Sequence, residues 1–242
     1  MVKSTAEGKM NITEISQVWL PLTAAALVTA SFSLGVSMLT LLSGHLRGIE
    51  QSAARVQKLS AGYIFGFFLA LLSSVVGSIY VLSILDFAHS GEFWSILSGV
   101  AVGVGLAVML FYYRWDKNGT KLWLPRRMAE YLYARTKATR HSFEAFLLGV
   151  GAVFAELIFI ATPIIIAANL ALALQRGQQI AAILVYVLIA LMPLLILQIF
   201  NAKGRRISSF IKWRENNKKF LQIVAGALLI ILGFYLFIYK AM

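Results

Sequence analysis

Six stretches of about twenty or more residues, five without a charged side chain and one with a single acid, dictate how this chain can fold. They are Ile15–Gly44, Leu59–Leu85, Phe93–Tyr113, Ala145–Gln175, Gly177–Ala202 and Phe220–Tyr239, and the acid is Glu156 in the fourth. About 20 apolar residues in a helix cross a hydrocarbon core of roughly 30 Å. Helices buried in soluble proteins are rarely so long, or apolar on every face. Composition agrees: 13% of residues are charged, against roughly 25% in soluble domains. The expected fold is an all-α integral membrane protein, one membrane domain over residues 1–242. Its six transmembrane helices are predicted near 17–43, 60–85, 93–113, 145–173, 178–201 and 220–239, with a cytoplasmic amphipathic loop at 114–144.

The net charge of +12 would suggest nucleic acid in a soluble protein, but the placement of the cations argues for membrane topology instead. The first, third and fifth loops hold eighteen of the 22 Lys and Arg residues. The positive-inside rule then puts those loops in the cytoplasm and both termini outside, so no nucleic-acid partner is expected. The first apolar run, 30 residues long, exceeds the 7–15 of a signal-peptide core and is expected to remain as a membrane helix.

The third loop divides the helices into two triplets of opposite orientation, the arrangement of inverted-repeat transporters. A short echo accompanies it, Phe32-Ser-Leu-Gly-Val36 against Phe146-Leu-Leu-Gly-Val150. Within that loop Trp123, Leu124, Met128, Leu132 and Tyr133 lie among cations. They predict an interfacial helix beginning after Pro125, with Arg126, Arg127 and Arg135 facing anionic lipid or a partner.

An ionisable residue in the middle of a membrane helix is by default a candidate functional residue, because it costs about 2.5–3.5 kcal/mol to insert. On a 100° wheel Glu156 shares a narrow face with Ala145, Gly149, Ala152, Pro163 and Ala167. Pro163 frees the carbonyl of Phe159, which Thr162 can satisfy locally. The first helix carries a comparable stripe of Ala26, Thr29, Ser33, Ser37, Thr40 and Gly44, with Ser43 and His45 at its cytoplasmic end. Small and hydroxyl residues at this spacing allow close approach and hydrogen bonds between helices. The two stripes are therefore expected to face each other, with Glu156 against the hydroxyls. Glu156, Thr40, Ser37, Ser33, Pro163, Thr162 and His45 would line a substrate pathway, or form a packing interface in which Glu156 donates one hydrogen bond.

Other chemistry has little support. The chain has no cysteine and three dispersed histidines, so no metal site is expected. No catalytic triad or phosphate loop occurs, so neither an enzyme nor a cofactor is expected. Gly62-x3-Gly66 and Gly99-x3-Gly103 are small-xxx-small patterns, used for packing within a bundle or, less often, in a homo-oligomer seam. Gln198 and Asn201 are candidates for a mouth of the pathway.

Six helices, the Phe-x-Leu-Gly-Val element, "FEAFLLGVGAVFAELIFIATPIIIAANLAL", "VYVLIALMPLLIL" and the closing "WRENNKKFLQIVAGALLIILGFYLF" resemble the lysine-exporter (LysE) superfamily. The tail is similar to its GAP, or lipid-addressing, branch. That superfamily includes the CcdA/DsbD electron carriers, whose cysteine pair this chain lacks. The amino-acid-exporter branch implies a Pro-Gly-Pro element in the first helix, where only Pro21 stands. The cation-transporting branches imply acids there, and none occurs. The resemblance implies export by a 3+3 fold without choosing a substrate. The resulting expectation is a small secondary exporter of the cytoplasmic membrane, moving a small solute or lipid-like amphiphile, with Glu156 as the coupling residue. The alternative is a non-transporting assembly or scaffold protein that docks a partner or anionic lipid through its basic loops.

Overall fold

The structure is a computed structural model, and it describes residues 15–32, 34–48, 53–85, 90–111, 113–116, 119–122, 131, 134–202, 213 and 216–241. Its main helices are α1 (Leu20–Ser31), α2 (Leu34–Gly48), α3 (Ala53–Ile84), α4 (Gly91–Phe111), α5 (Ser142–Leu172), α6 (Arg176–Ala202) and α7 (Lys218–Leu236). Turns of π-helix at Ile15–Trp19 and Phe237–Ala241 extend α1 and α7 outward. Among the described residues five helices are long and apolar enough to cross a membrane, or six if α1 and α2, bent by 44° at a short break, are taken as one span. Among the described residues the fold is helical except for a hairpin in the third loop.

That hairpin pairs Tyr113–Asp116 with Gly119–Leu122 in antiparallel register, Asp116 opposite Gly119. Tyr113, expected in the third helix, belongs to it. A hairpin of two four-residue strands is too short to stand out in a reading based on hydropathy and charge. The interfacial helix expected after Pro125 is described at Tyr131 and at residues 134–138. Arg126 and Arg127 lie outside the described residues.

Large apolar side chains cover the outside of the bundle. Leu20, Leu110, Ile158, Phe220 and Ile231 are all more than 60% exposed. Such a surface is stable against hydrocarbon and a liability in water, and with the helix lengths it makes this a multi-pass membrane protein. The helix at the centre is α5, with 61% of its most apolar stretch buried against 28–39% in the other continuous spans.

The closest crossings follow the glycines. Gly62, Gly66 and Gly149 bring α3 against α5. A Cβ added at Gly62 would lie 2.8 Å from the Ser142 carbonyl, and one at Gly66 or Gly149 would collide with the Phe146 or Tyr63 carbonyl. The second tight pair is α4 with α7, where Gly105 and Gly226 sit against each other's carbonyls. Hydrogen bonds brace both ends of this pair. Gln222 Nε2 donates to the carbonyls of Val108 and Met109 at 2.7 and 2.8 Å, and Ser98 Oγ donates to the Gly233 carbonyl at 2.8 Å. The expected packing role of Gly62-x3-Gly66 is thus internal, whereas Gly99 and Gly103 have nothing within 4 Å of an added Cβ. Helix α1 packs on α5, α6 and α7, and α3 also touches α6.

Candidate functional site: the break in the first span

The first span divides where the sequence reads Ser31-Phe32-Ser33-Leu34-Gly35. Phe32 is extended, with φ −68° and ψ 144°, and α2 begins at Leu34. No proline is present. A run of 30 residues has length to spare for one crossing, and a glycine beside serines is a usual place for a helix to kink.

A break removes i→i−4 hydrogen bonds and leaves amides at the new helix start that apolar surroundings cannot satisfy. Glu156 meets this need from α5. Its side chain is 3% exposed, and its carboxylate Oε1 accepts the backbone N–H of Leu34. The acid thus sits at the positive end of the half-helix α2, where a negative charge is favoured. Its neighbours brace the same point. Tyr63 of α3, fully buried, donates its hydroxyl to the Gly35 carbonyl at 3.0 Å. Phe159 of α5 stacks on Phe32, ring centroids 5.4 Å apart. Tyr186 of α6, also fully buried, meets Thr29 Oγ1 at 2.7 Å. Since the Thr29 hydroxyl donates to the Ala25 carbonyl and has a single hydrogen, Tyr186 is the donor in that contact. Side chains from α3, α5 and α6 therefore converge on one interruption of the backbone.

The small-residue face read on the fourth span is buried as expected: Ala145, Gly149, Ala152, Glu156, Pro163 and Ala167 are all inside, as is Thr162. Pro163 does not interrupt α5, which runs unbroken from Ser142 to Leu172. Among the described residues the hydroxyls of the first span do not share one face. Thr29 turns to α6, and Ser43 meets Ser60 of α3 at 3.3 Å. Ser37 is exposed and Thr40 partly so. Ser33 lies outside the described residues, and His45 is placed in α2 by its backbone only. The physical reason is the bend, which interrupts the 100° progression on which the wheel depends.

Tyr63 and Tyr186 were not singled out from sequence, and Phe32 and Phe159 drew notice only for a short echo and a freed carbonyl. Tyr63 and Tyr186 lie deep in apolar runs, and a buried hydroxyl generally needs a partner; that was the available signal. At the basic end Gln198 Nε2 donates to the Gln57 carbonyl at 3.3 Å, while its Oε1 is buried without a partner among the described residues. Among the described residues no group of three or more His, Asp or Glu side chains is arranged to hold a metal ion. Comparison with protein-family models, curated proteins and solved structures gave no match, so the geometry of this break carries the functional reading.

Proposed function

We propose that the protein is a small secondary transporter, an exporter of the cytoplasmic membrane, whose pathway passes the break in the first span and whose coupling residue is Glu156. The observation that carries this reading is the Glu156 carboxylate on the backbone amide that opens α2. Interrupted helices at transporter midplanes place half-helix ends where ions and substrates bind. Protonation of Glu156 removes the charge that complements the α2 terminus, and ionisation restores it, so proton transfer and the state of the break are linked. With an acid already at that terminus, the pathway suits a neutral or cationic solute, or an amphiphile carrying such a group.

The helix neighbours support a 3+3 inverted repeat. Exchanging the first three spans for the last three turns the pair α3–α5 into α6–α1, and maps α4–α7, α3–α6 and α1–α5 onto themselves. These are all pairs in contact. The Phe-x-Leu-Gly-Val echo does not follow this exchange: Phe32 stands at the break and Phe146 near the start of α5. The charge distribution supports loops one, three and five facing the cytoplasm and both termini outside.

The test uses proteoliposomes loaded with a pH-sensitive dye and challenged with a panel of amino acids, small organic cations and lipid-like amphiphiles. At least one compound is expected to drive proton movement through the wild type, with Glu156→Gln losing that movement. Full proton-coupled transport by Glu156→Gln overturns the coupling role. Proton movement by neither protein across the panel counts against transport itself.

A further inference from the structure

A groove of about 370 Å³ lies at the start of α5, away from the break. Its walls are Tyr131, Arg135, Ala138 and Thr139 from the third loop, and Glu144, Leu147, Leu148 and Gly151 from α5. Two opposite charges stand in it. Arg135 is held over the Tyr131 ring, 5.8 Å from its centroid, and its Nε donates to the Tyr131 hydroxyl at 3.3 Å. This fixes the guanidinium, whose terminal nitrogens have no hydrogen bond among the described residues. Glu144 Oε2 accepts the backbone N–H groups of Arg140 and His141, as expected of an acid in the first turn of a helix. Its Oε1 has no hydrogen bond among the described residues. Arg135 and Glu144 line the same groove without an ion pair within 4 Å.

Thr139 turns its hydroxyl to the Arg135 carbonyl at 2.8 Å, and the lining from α5 beyond Glu144 is apolar and leads onto the lipid face. Leu147, Gly151, Phe154 and Ile158 follow i, i+4, i+7, i+11 spacing along one side of α5. Leu147, Phe154 and Ile158 are exposed, and Gly151 forms a notch between the first two. A cation and an anion at one end of an apolar track complement a zwitterionic amphiphile. The volume lies at the lower end of the roughly 300–1,000 Å³ of small-molecule clefts, enough for a headgroup and the start of a chain.

We infer that this groove is a binding site for phosphatidylethanolamine, with Arg135 on the phosphate, Glu144 on the primary ammonium and an acyl chain along Leu147, Gly151 and Phe154. The phosphate is the group for which a fixed guanidinium is best suited. The ammonium explains an acid that an anionic lipid would find repulsive. The site is independent of Glu156 and of the transport reading.

Native mass spectrometry of the detergent-purified full chain tests it, with phosphatidylethanolamine, phosphatidylcholine and phosphatidylglycerol of identical acyl chains. Phosphatidylethanolamine is expected to bind about tenfold more tightly than either, the worth of one charge-assisted hydrogen bond. Arg135→Gln, at an exposed position, should weaken it about tenfold. Glu144→Gln keeps an oxygen for the two helix-start amides, and should remove the preference over phosphatidylcholine. Free phosphoethanolamine should not compete, because it lacks the chain. Equal binding of the three lipids, stronger binding of phosphatidylglycerol, unaltered binding by both variants, or displacement by free phosphoethanolamine would each overturn the assignment.

Discussion

At the residue scale, Glu156 was conspicuous in the sequence as a lone acid, and its burial on a face of small residues could be read from helical periodicity. Its partner could not. The Leu34 amide is a backbone group, and only the interruption of the first span makes it available. The wheel treated the first span as one straight helix, and so could not show that this amide is open to a side chain. Glu156→Gln retains an oxygen for that amide, whereas Glu156→Leu leaves it unpaired at a cost of about 1–3 kcal/mol. Apparent melting temperature in detergent should therefore fall further for Leu than for Gln; equal values would mean that the amide bond contributes nothing. Tyr63→Phe removes the hydrogen bond to the Gly35 carbonyl, and is expected to cost about 1 kcal/mol in the same measurement.

At the element scale, hydropathy located the five continuous spans and the bent α1–α2 pair, and the glycine spacing located one of the two tight crossings. Identical motifs nonetheless have different fates. Gly66 touches backbone across a crossing, while Gly99 and Gly103 border open space. A four-residue glycine spacing marks a face able to pack closely, and which partner arrives depends on the whole bundle. Gly66→Ala or Gly149→Ala should strip folded protein from the monodisperse peak in size-exclusion chromatography, because a carbonyl cannot move as a side-chain tip can. Gly99→Ala and Gly103→Ala should leave the peak unchanged. The hairpin in the third loop escaped a reading by apolar period, since each strand is only four residues long.

At the scale of the whole molecule, the topology proposed from cation placement can be checked directly by cysteine labelling, because the chain has no cysteine of its own. Lys121→Cys in the hairpin should react with a membrane-impermeant maleimide from the cytoplasmic side only, and Glu92→Cys at the start of α4 from the opposite side only. The reverse pattern, or labelling of both from one side, contradicts the assigned orientation. The same cysteine-free background tests the central claim, that the break in the first span lines a water-accessible pathway. Ser31→Cys stands at the break, and Leu27→Cys, one turn earlier, stands on the exposed apolar surface. In sealed vesicles treated with a small hydrophilic thiol reagent, Ser31→Cys should be modified and Leu27→Cys spared. Equal inertness of the two cysteines would make the break a packing feature and contradict the pathway.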